Sequence, residues 1–317
     1  MNLTQKQLDK MLVKAEEAGA CEDELETIRS LTPDEVLNHK DAPLWACFYA
    51  EEVIKGRWPE AEDIIKKDSE HAYRYAKSVI NDRWPEAEDV IRQNAECGYC
   101  YVRFIIGDRW PEAEDIIKQD SYLAYEYAKN AIKGRWPEAE EIIKQNPEWA
   151  YKYARYVIKG RWHEAEDVIR KNPDWAYSYA ENVIRGRWLE GEEIIKQNPE
   201  RAYFYAENVI KCRWPEAEEI IRRDMYWAYE YAQNIIEGRW PEVEEFVKQD
   251  VYWDYIYAEG ATKGRWSEVE DIITQNAEGA YKYARYIIKG RWPEAEDVIK
   301  LDEYYRREYN RHFNANI

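Results

Sequence analysis

Cys97-Gly-Tyr-Cys100 is the one Cys-x-x-Cys in the chain, a spacing that could serve disulfide exchange or half of a zinc site. Zinc needs a second pair, which Cys21, Cys47 and Cys212 do not supply, and a redox pair needs a strand–helix–strand setting that the surrounding helical pattern lacks. The histidines, His39, His71, His163 and His312, are scattered, and none pairs at i, i+4 with another His or with Cys. There is no Gly-rich phosphate loop and no Gly-x-Ser-x-Gly elbow. Carboxylates abound, but acid–base catalysis needs one pair set apart by its environment, and an array of equivalent carboxylates offers none. These residues predict no catalytic, cofactor-binding or metal-binding group, hence a protein that is not an enzyme. Cysteines without a disulfide framework suit a reducing compartment, so the expected location is cytoplasmic.

The residues that do stand out are those that recur. Arg57-Trp58 returns as an Arg-Trp pair at Trp84, Trp110, Trp136, Trp162, Trp188, Trp214, Trp240, Trp266 and Trp292, ten copies in steps of 26 residues without insertion or deletion. Arg57 can stack on the neighbouring indole and bridge to Glu60 or Glu62 across the interface between repeats. The ligand-binding alternative is an Arg ladder for phosphates or acidic peptides. Glu60 and Glu62 flank their helix, where ion pairing to a neighbouring repeat is expected. The position after them points most directly outward. Its occupants are Asp63, Asp89, Asp115, Glu141, Asp167, Glu193, Glu219, Glu245, Asp271 and Asp297. They read as a solubilising face or as an acidic partner-binding one. A further Trp column, Trp45, Trp149, Trp175, Trp227 and Trp253, alternates with His71, Cys97, Leu123, Arg201, Gly279 and Tyr305. Inter-repeat packing would account for these Trp residues, and a contact surface is the sharper reading.

The elements that carry these columns follow from one unit, Arg57 to Asp82. Pro59 is a helix-start residue and Glu60, Glu62 and Asp63 place negative charge in the first turn. Asp68 and its equivalents are all Asp or Asn, as an N-cap requires. Glycine usually precedes each Arg-Trp pair, as at Gly56, Gly134 and Gly160, which predicts a left-handed helix end there. Each unit should therefore hold a helix of ~9 residues, a one-residue cap, a helix of ~13 and a tight turn. Ala61, Ile64 and Ile65 form the apolar side of the first helix. Ala72, Ala76 and Val79 centre that of the second, flanked by columns headed by Tyr73 and Tyr75.

One such hairpin cannot bury its own apolar face, so the units must stack. The expected fold is all-α: an α-solenoid (superhelix) of ten two-helix repeats, spanning on the order of 100 Å at ~8–10 Å per helix contact. Residues 1–41 read as an N-terminal helical cap with capping boxes at Thr4-x-x-Gln7 and Thr32-x-x-Glu35, 42–302 as the array, and 303–317 as a C-terminal capping helix. Composition agrees. The chain has 317 residues, a formal charge of −18, and 15 Trp and 27 Tyr against 5 Phe. So aromatic a chain is not disordered, no apolar run is long enough to span a membrane, and the acidic balance disfavours direct nucleic-acid binding.

The Glu-Ala-Glu-Asp-Ile-Ile and Ala-Tyr-x-Tyr-Ala-x-x-x-Ile helices, over about residues 42–302, resemble short helical-hairpin repeats of uncharacterised phage, large-virus and intracellular-bacterial proteins. More distantly they look like tetratricopeptide arrays, whose 34-residue period rules out carrying over groove residues. The resemblance implies a non-enzymatic, viral-type protein. The leading expectation is a scaffold for protein–protein interaction, acting on a host factor if the resemblance holds. The alternatives are an acidic nucleic-acid mimic and a spacer.

Overall fold

The computed structural model describes residues 3–17, 19–248 and 251–317, and among them every regular element is helical. The protein is an α-solenoid of two-helix repeats. The chain divides into two compact units, Met1–Val168 and Ile169–Ile317. The first unit opens with three helices, Gln5–Glu17, Glu22–Arg29 and Pro33–Asn38. Both capping boxes form: Gln7 Oε1 accepts from the Thr4 N–H at 2.8 Å, and Glu35 Oε2 accepts from the Thr32 N–H at 2.8 Å. The second unit ends with the helix Glu303–Phe313.

In each repeat the first helix, termed helix A, is shorter than its sequence pattern suggests. Pro85–Ile91 is typical, with Trp84 as its non-helical N-cap and Pro85 at the first position. The second helix, helix B, starts where expected. Asp68, Asn94, Asp120 and their equivalents accept a hydrogen bond from the N–H three residues on, as in Asp120 Oδ1 from Leu123 at 2.9 Å. The equivalent cap at Asp250 lies outside the described residues.

Helix B does not end as the sequence predicts. Its α-helical stretch, such as Ser69–Tyr75, passes into a π-helical turn, Ala76–Ile80. Asn81 then donates to the Ala76 carbonyl, five residues back, at 2.8 Å. The left-handed residue is not the glycine but the residue before it: Lys55, Asn81, Lys133, Lys159, Arg185, Lys211, Glu237, Lys263 and Lys289 have φ between 54° and 61°. Only at Gly107 does a glycine hold that position, with φ 72°. Gly56, Gly134 and Gly160 sit in open space with no left-handed requirement.

Packing inside each unit follows the small-residue columns. Ala72, Ala76 and their equivalents as far as Ala280 and Ala284 are buried and let helix B lie close against helix B of the next repeat, closer than successive helices A approach one another. Helix B also packs tightly on the helix A that follows the Arg-Trp turn. The helices B therefore lie on the tighter side of each unit.

Candidate interaction surface

The Arg-Trp columns are committed to the fold, and the way they are committed corrects the expected pairing. Arg57 Nε and Nη2 bind Glu62 Oε1 and Oε2 of the same repeat at 2.8 and 2.9 Å, and this bidentate pair recurs from Arg57–Glu62 to Arg291–Glu296 at 2.6–3.0 Å. The partner is five residues on, not across the repeat interface. The turn folds the guanidinium back over its own helix A, and the fork matches the carboxylate. Glu60 lies exposed. In its column, Glu268 makes a cross-repeat contact, to Arg239 at 3.2 Å. Arg stacking over Trp is likewise described at one place, Arg239 over Trp266.

Tyr75 completes the network. Its hydroxyl accepts the Trp58 backbone N–H at 2.6 Å and donates to Glu62 Oε1 at 3.2 Å. The Trp N–H bond recurs through Trp292–Tyr309 at 2.5–2.7 Å. The same tyrosine ring meets the Trp of the next repeat, with centroids 5.0–5.2 Å apart from Tyr49–Trp58 to Tyr283–Trp292. Burial pushes the Tyr75 and Tyr101 phenols up to about 12, while the guanidinium of Arg109 holds Glu114 below its ordinary value. The indole Nε1 of Trp84, Trp188, Trp214, Trp240, Trp266 and Trp292 is buried without a hydrogen-bond partner. The tyrosines use their polar handle. These six tryptophans contribute area and shape.

The predicted surface residues separate into two environments. The outward acids are exposed, and most pair with a base on the same helix: Asp63 with Lys66, Asp89 with Arg92, Asp115 with Lys118, Glu141 with Lys144, Glu193 with Lys196, Glu219 with Arg223, Glu245 with Lys248 and Asp297 with Lys300. Asp167 and Asp271 are also exposed. With Glu62 held by Arg57 and Asp63 by Lys66, one net negative charge per repeat remains on a typical helix A, at Glu60.

The irregular Trp column lies at the start of helix B and faces the preceding repeat. Trp45 is buried, stacked on His39 at 4.7 Å, and donates Nε1–H to Glu24 at 3.1 Å beside an apolar cavity of about 100 Å³ lined by Met11, Leu25, Ile28 and Phe48. Trp149 is half-buried against Tyr122 and Tyr125, with the Lys152 ammonium 4.3 Å from its ring. Trp227 meets Tyr203 and Phe204, Trp253 meets Tyr229 and Tyr252, and Trp175 is half-buried. Cys97 is buried, its thiol pushed up to about 11 by burial, and Cys100 is partly exposed. Among the described residues no three His, Cys, Asp or Glu side chains are arranged to hold a metal ion.

A register that sequence reading passed over forms a half-buried to exposed edge of helix B. It runs Glu51, Lys77, Arg103, Lys129, Arg155 in the first unit and Glu181, Glu207, Gln233, Glu259, Arg285, Arg311 in the second, with Glu51 held by Arg74 of the next repeat. The Tyr73 column sits beside it and adapts to either sign. Tyr99 and Tyr281 hydroxyls accept from Arg103 and Arg285 at 3.1 and 2.7 Å, whereas Tyr177 and Tyr203 donate to Glu181 and Glu207 at 2.7 Å. One phenol serves as acceptor or donor, so the charge can change without disturbing the stack. The signal was present in the sequence as runs of like charge read every 26 residues. It becomes meaningful only once that register is known to be exposed.

No helix of the described residues is long and apolar enough to cross a membrane. No family model, curated protein or solved structure matches the chain.

Proposed function

We propose that this chain is a non-enzymatic cytoplasmic scaffold that binds a protein partner through the exposed faces of its helices B. One observation carries the reading: the columns that build the stack are nearly invariant, while the register that includes Lys77 changes charge in blocks on a tyrosine platform that tolerates either sign. A repeat array with a fixed interior and a tunable edge is the arrangement by which solenoids recognise extended surfaces. Exposed aromatics on helix B, including Tyr122, Phe104, Tyr156 and Tyr226, add contact area. The resemblance of the repeat to phage and large-virus arrays makes a host protein the partner class to seek first. An acidic mimic of nucleic acid draws less support: one net charge per repeat of ~10 Å compares poorly with one per ~1.7 Å of duplex. A spacer of fixed length would give no reason for the blocks of charge.

The test is affinity capture from the native cell with the wild-type chain and with surface variants in each unit, Phe104→Ser with Tyr156→Ser and, separately, Tyr226→Ser. A partner retained by the wild type and lost with at least one surface variant supports the scaffold reading. Retained proteins that are identical across wild type and all variants refute it.

A further inference from the structure

Lys77, Arg103, Lys129 and Arg155 occupy the same register in four consecutive repeats of the first unit, in a chain whose net charge is −18. Two carboxylates lie along it: Glu126, 3.6 Å from Arg103 and 3.8 Å from Lys129, which also accepts from the Tyr99 hydroxyl at 3.1 Å, and Glu51 in the same register one repeat earlier, which pairs with Arg74. Lys77, Arg103, Lys129, Arg155 and Arg74 against Glu126 and Glu51, five cations and two acids, leave a net positive stripe on the tighter side of the unit, where the helices B lie.

We infer that this stripe is a docking site for an acidic peptide segment in extended conformation, with a carboxylate at about every third residue. The inference rests on the scaffold reading and names the partner's chemistry. Spacing sets the periodicity: successive helices in contact lie ~8–10 Å apart, and three residues of extended chain cover ~10 Å. Charge complementarity sets the sign.

The aromatic faces decide between a peptide and a single-stranded nucleic acid. Strand-binding grooves use open aromatic faces on which bases stack. Here the two exposed rings of the stripe each already carry two cations. Phe104 has the Lys77 ammonium 4.3 Å and the Arg103 guanidinium 5.4 Å from its centroid, and Tyr156 has Lys129 at 5.4 Å and Arg155 at 5.1 Å. The rings hold the cations in place, and a base could stack on that face only by displacing them. What the stripe presents outward is a row of positive charge with apolar flanks, which suits carboxylates separated by small or apolar residues.

The experiment measures fluorescence anisotropy of the full chain with a labelled twelve-residue peptide carrying Glu at every third position in a Ser/Ala background. Comparison ligands are the same composition with its four Glu clustered, a Ser/Ala peptide without Glu, and a twelve-nucleotide oligothymidylate. The spaced peptide should bind more tightly than all three and weaken steeply with salt. Lys77→Glu combined with Lys129→Glu places at these positions the residue type that the second unit carries in the same register. It should weaken binding about tenfold or more, while Glu207→Lys in the second unit leaves it unchanged. Lys129→Gln, which keeps the aliphatic stem over Tyr125, should weaken it by about threefold and guards against a folding defect in the double variant. Equal affinity for spaced and clustered peptides, indifference to both Lys variants, or tighter binding of the oligonucleotide overturns the inference. Should the inference fail while partner capture still depends on Tyr226, the scaffold reading stands and this surface assignment falls. If capture is insensitive to every surface variant, the scaffold reading falls with it.

Discussion

Tyr127→Phe removes one oxygen and leaves the ring in place. The hydroxyl accepts the Trp110 backbone N–H at 2.7 Å in a buried position and donates to Glu114 Oε1 at 3.0 Å. Glu114 keeps both of its bonds to Arg109, so its loss is small. The Trp110 N–H has no comparable substitute, and leaving a buried donor unsatisfied costs ~1–3 kcal/mol. The ring packing against Trp136, at 5.0 Å, is unchanged. The expected penalty is therefore about 2 kcal/mol, or about thirtyfold in the local opening equilibrium. In a stacked array that loss is felt mainly by the repeat concerned and its neighbours. The assay is amide hydrogen exchange at Trp110 and across residues 85–145. Tyr125→Phe in the same helix is the control, because its neighbour is the partly exposed Lys129, whose ammonium lies 5.3 Å from the Tyr125 ring. It should cost less than about 0.5 kcal/mol. If the Trp110 amide in Tyr127→Phe exchanges within about threefold of wild type, a change of only ~0.6 kcal/mol, or if the two variants behave alike, the hydroxyl is not a structural latch.

The repeated latch also predicts a sharp alkaline limit. Burial raises the Tyr75, Tyr101, Tyr257 and Tyr283 phenols to about 12, above an unfolded value of ~10. Their contribution is therefore intact below ~pH 10 and lost as pH rises toward 12, so helix content should fall cooperatively over that interval; a gradual decline beginning near neutrality would refute it. Gly134→Ala should leave the melting temperature unchanged or raise it, since nothing lies within 4 Å of the added Cβ and the position is not left-handed. Lys133→Gly should stabilise by ~0.5–1 kcal/mol by relieving a φ of 58°, measurable by denaturant titration. Trp45→Ala should cost ~3–5 kcal/mol because the ring is buried beside the N-terminal helices, whereas Trp149→Ala, half-buried, should cost less than half of that by the same titration. Asp120→Ala removes the cap on Leu123 and should cost ~1 kcal/mol.

The period, the caps and the fold class were legible because each rests on local chemistry: proline and acid at a helix start, Asp or Asn at an N-cap, apolar residues at helical spacing. The π turn was not, because no residue type marks it. The left-handed residue is Lys55, one place before the glycine that the sequence pointed to. The partner of Arg57 was half legible. Both Glu60 and Glu62 are constant, and only the path of the turn selects Glu62. The tenfold Tyr75 column read as glue, and its hydroxyl's bond to a backbone N–H seventeen residues earlier needed the fold. For the candidate surface, constancy drew attention to columns that the stack consumes. The residues open to a partner lay in a variable register, where the information is in the sign of successive side chains.

The double use of each tyrosine gives the array a direction. The ring of Tyr49 is in place before Trp58 has been synthesised. Trp58 docks on it, and its own turn is then locked by Tyr75, whose ring in turn awaits Trp84. A nascent chain can thus close one repeat at a time from its N-terminus, never holding more than about one large indole unprotected while the ribosome delivers the next 26 residues.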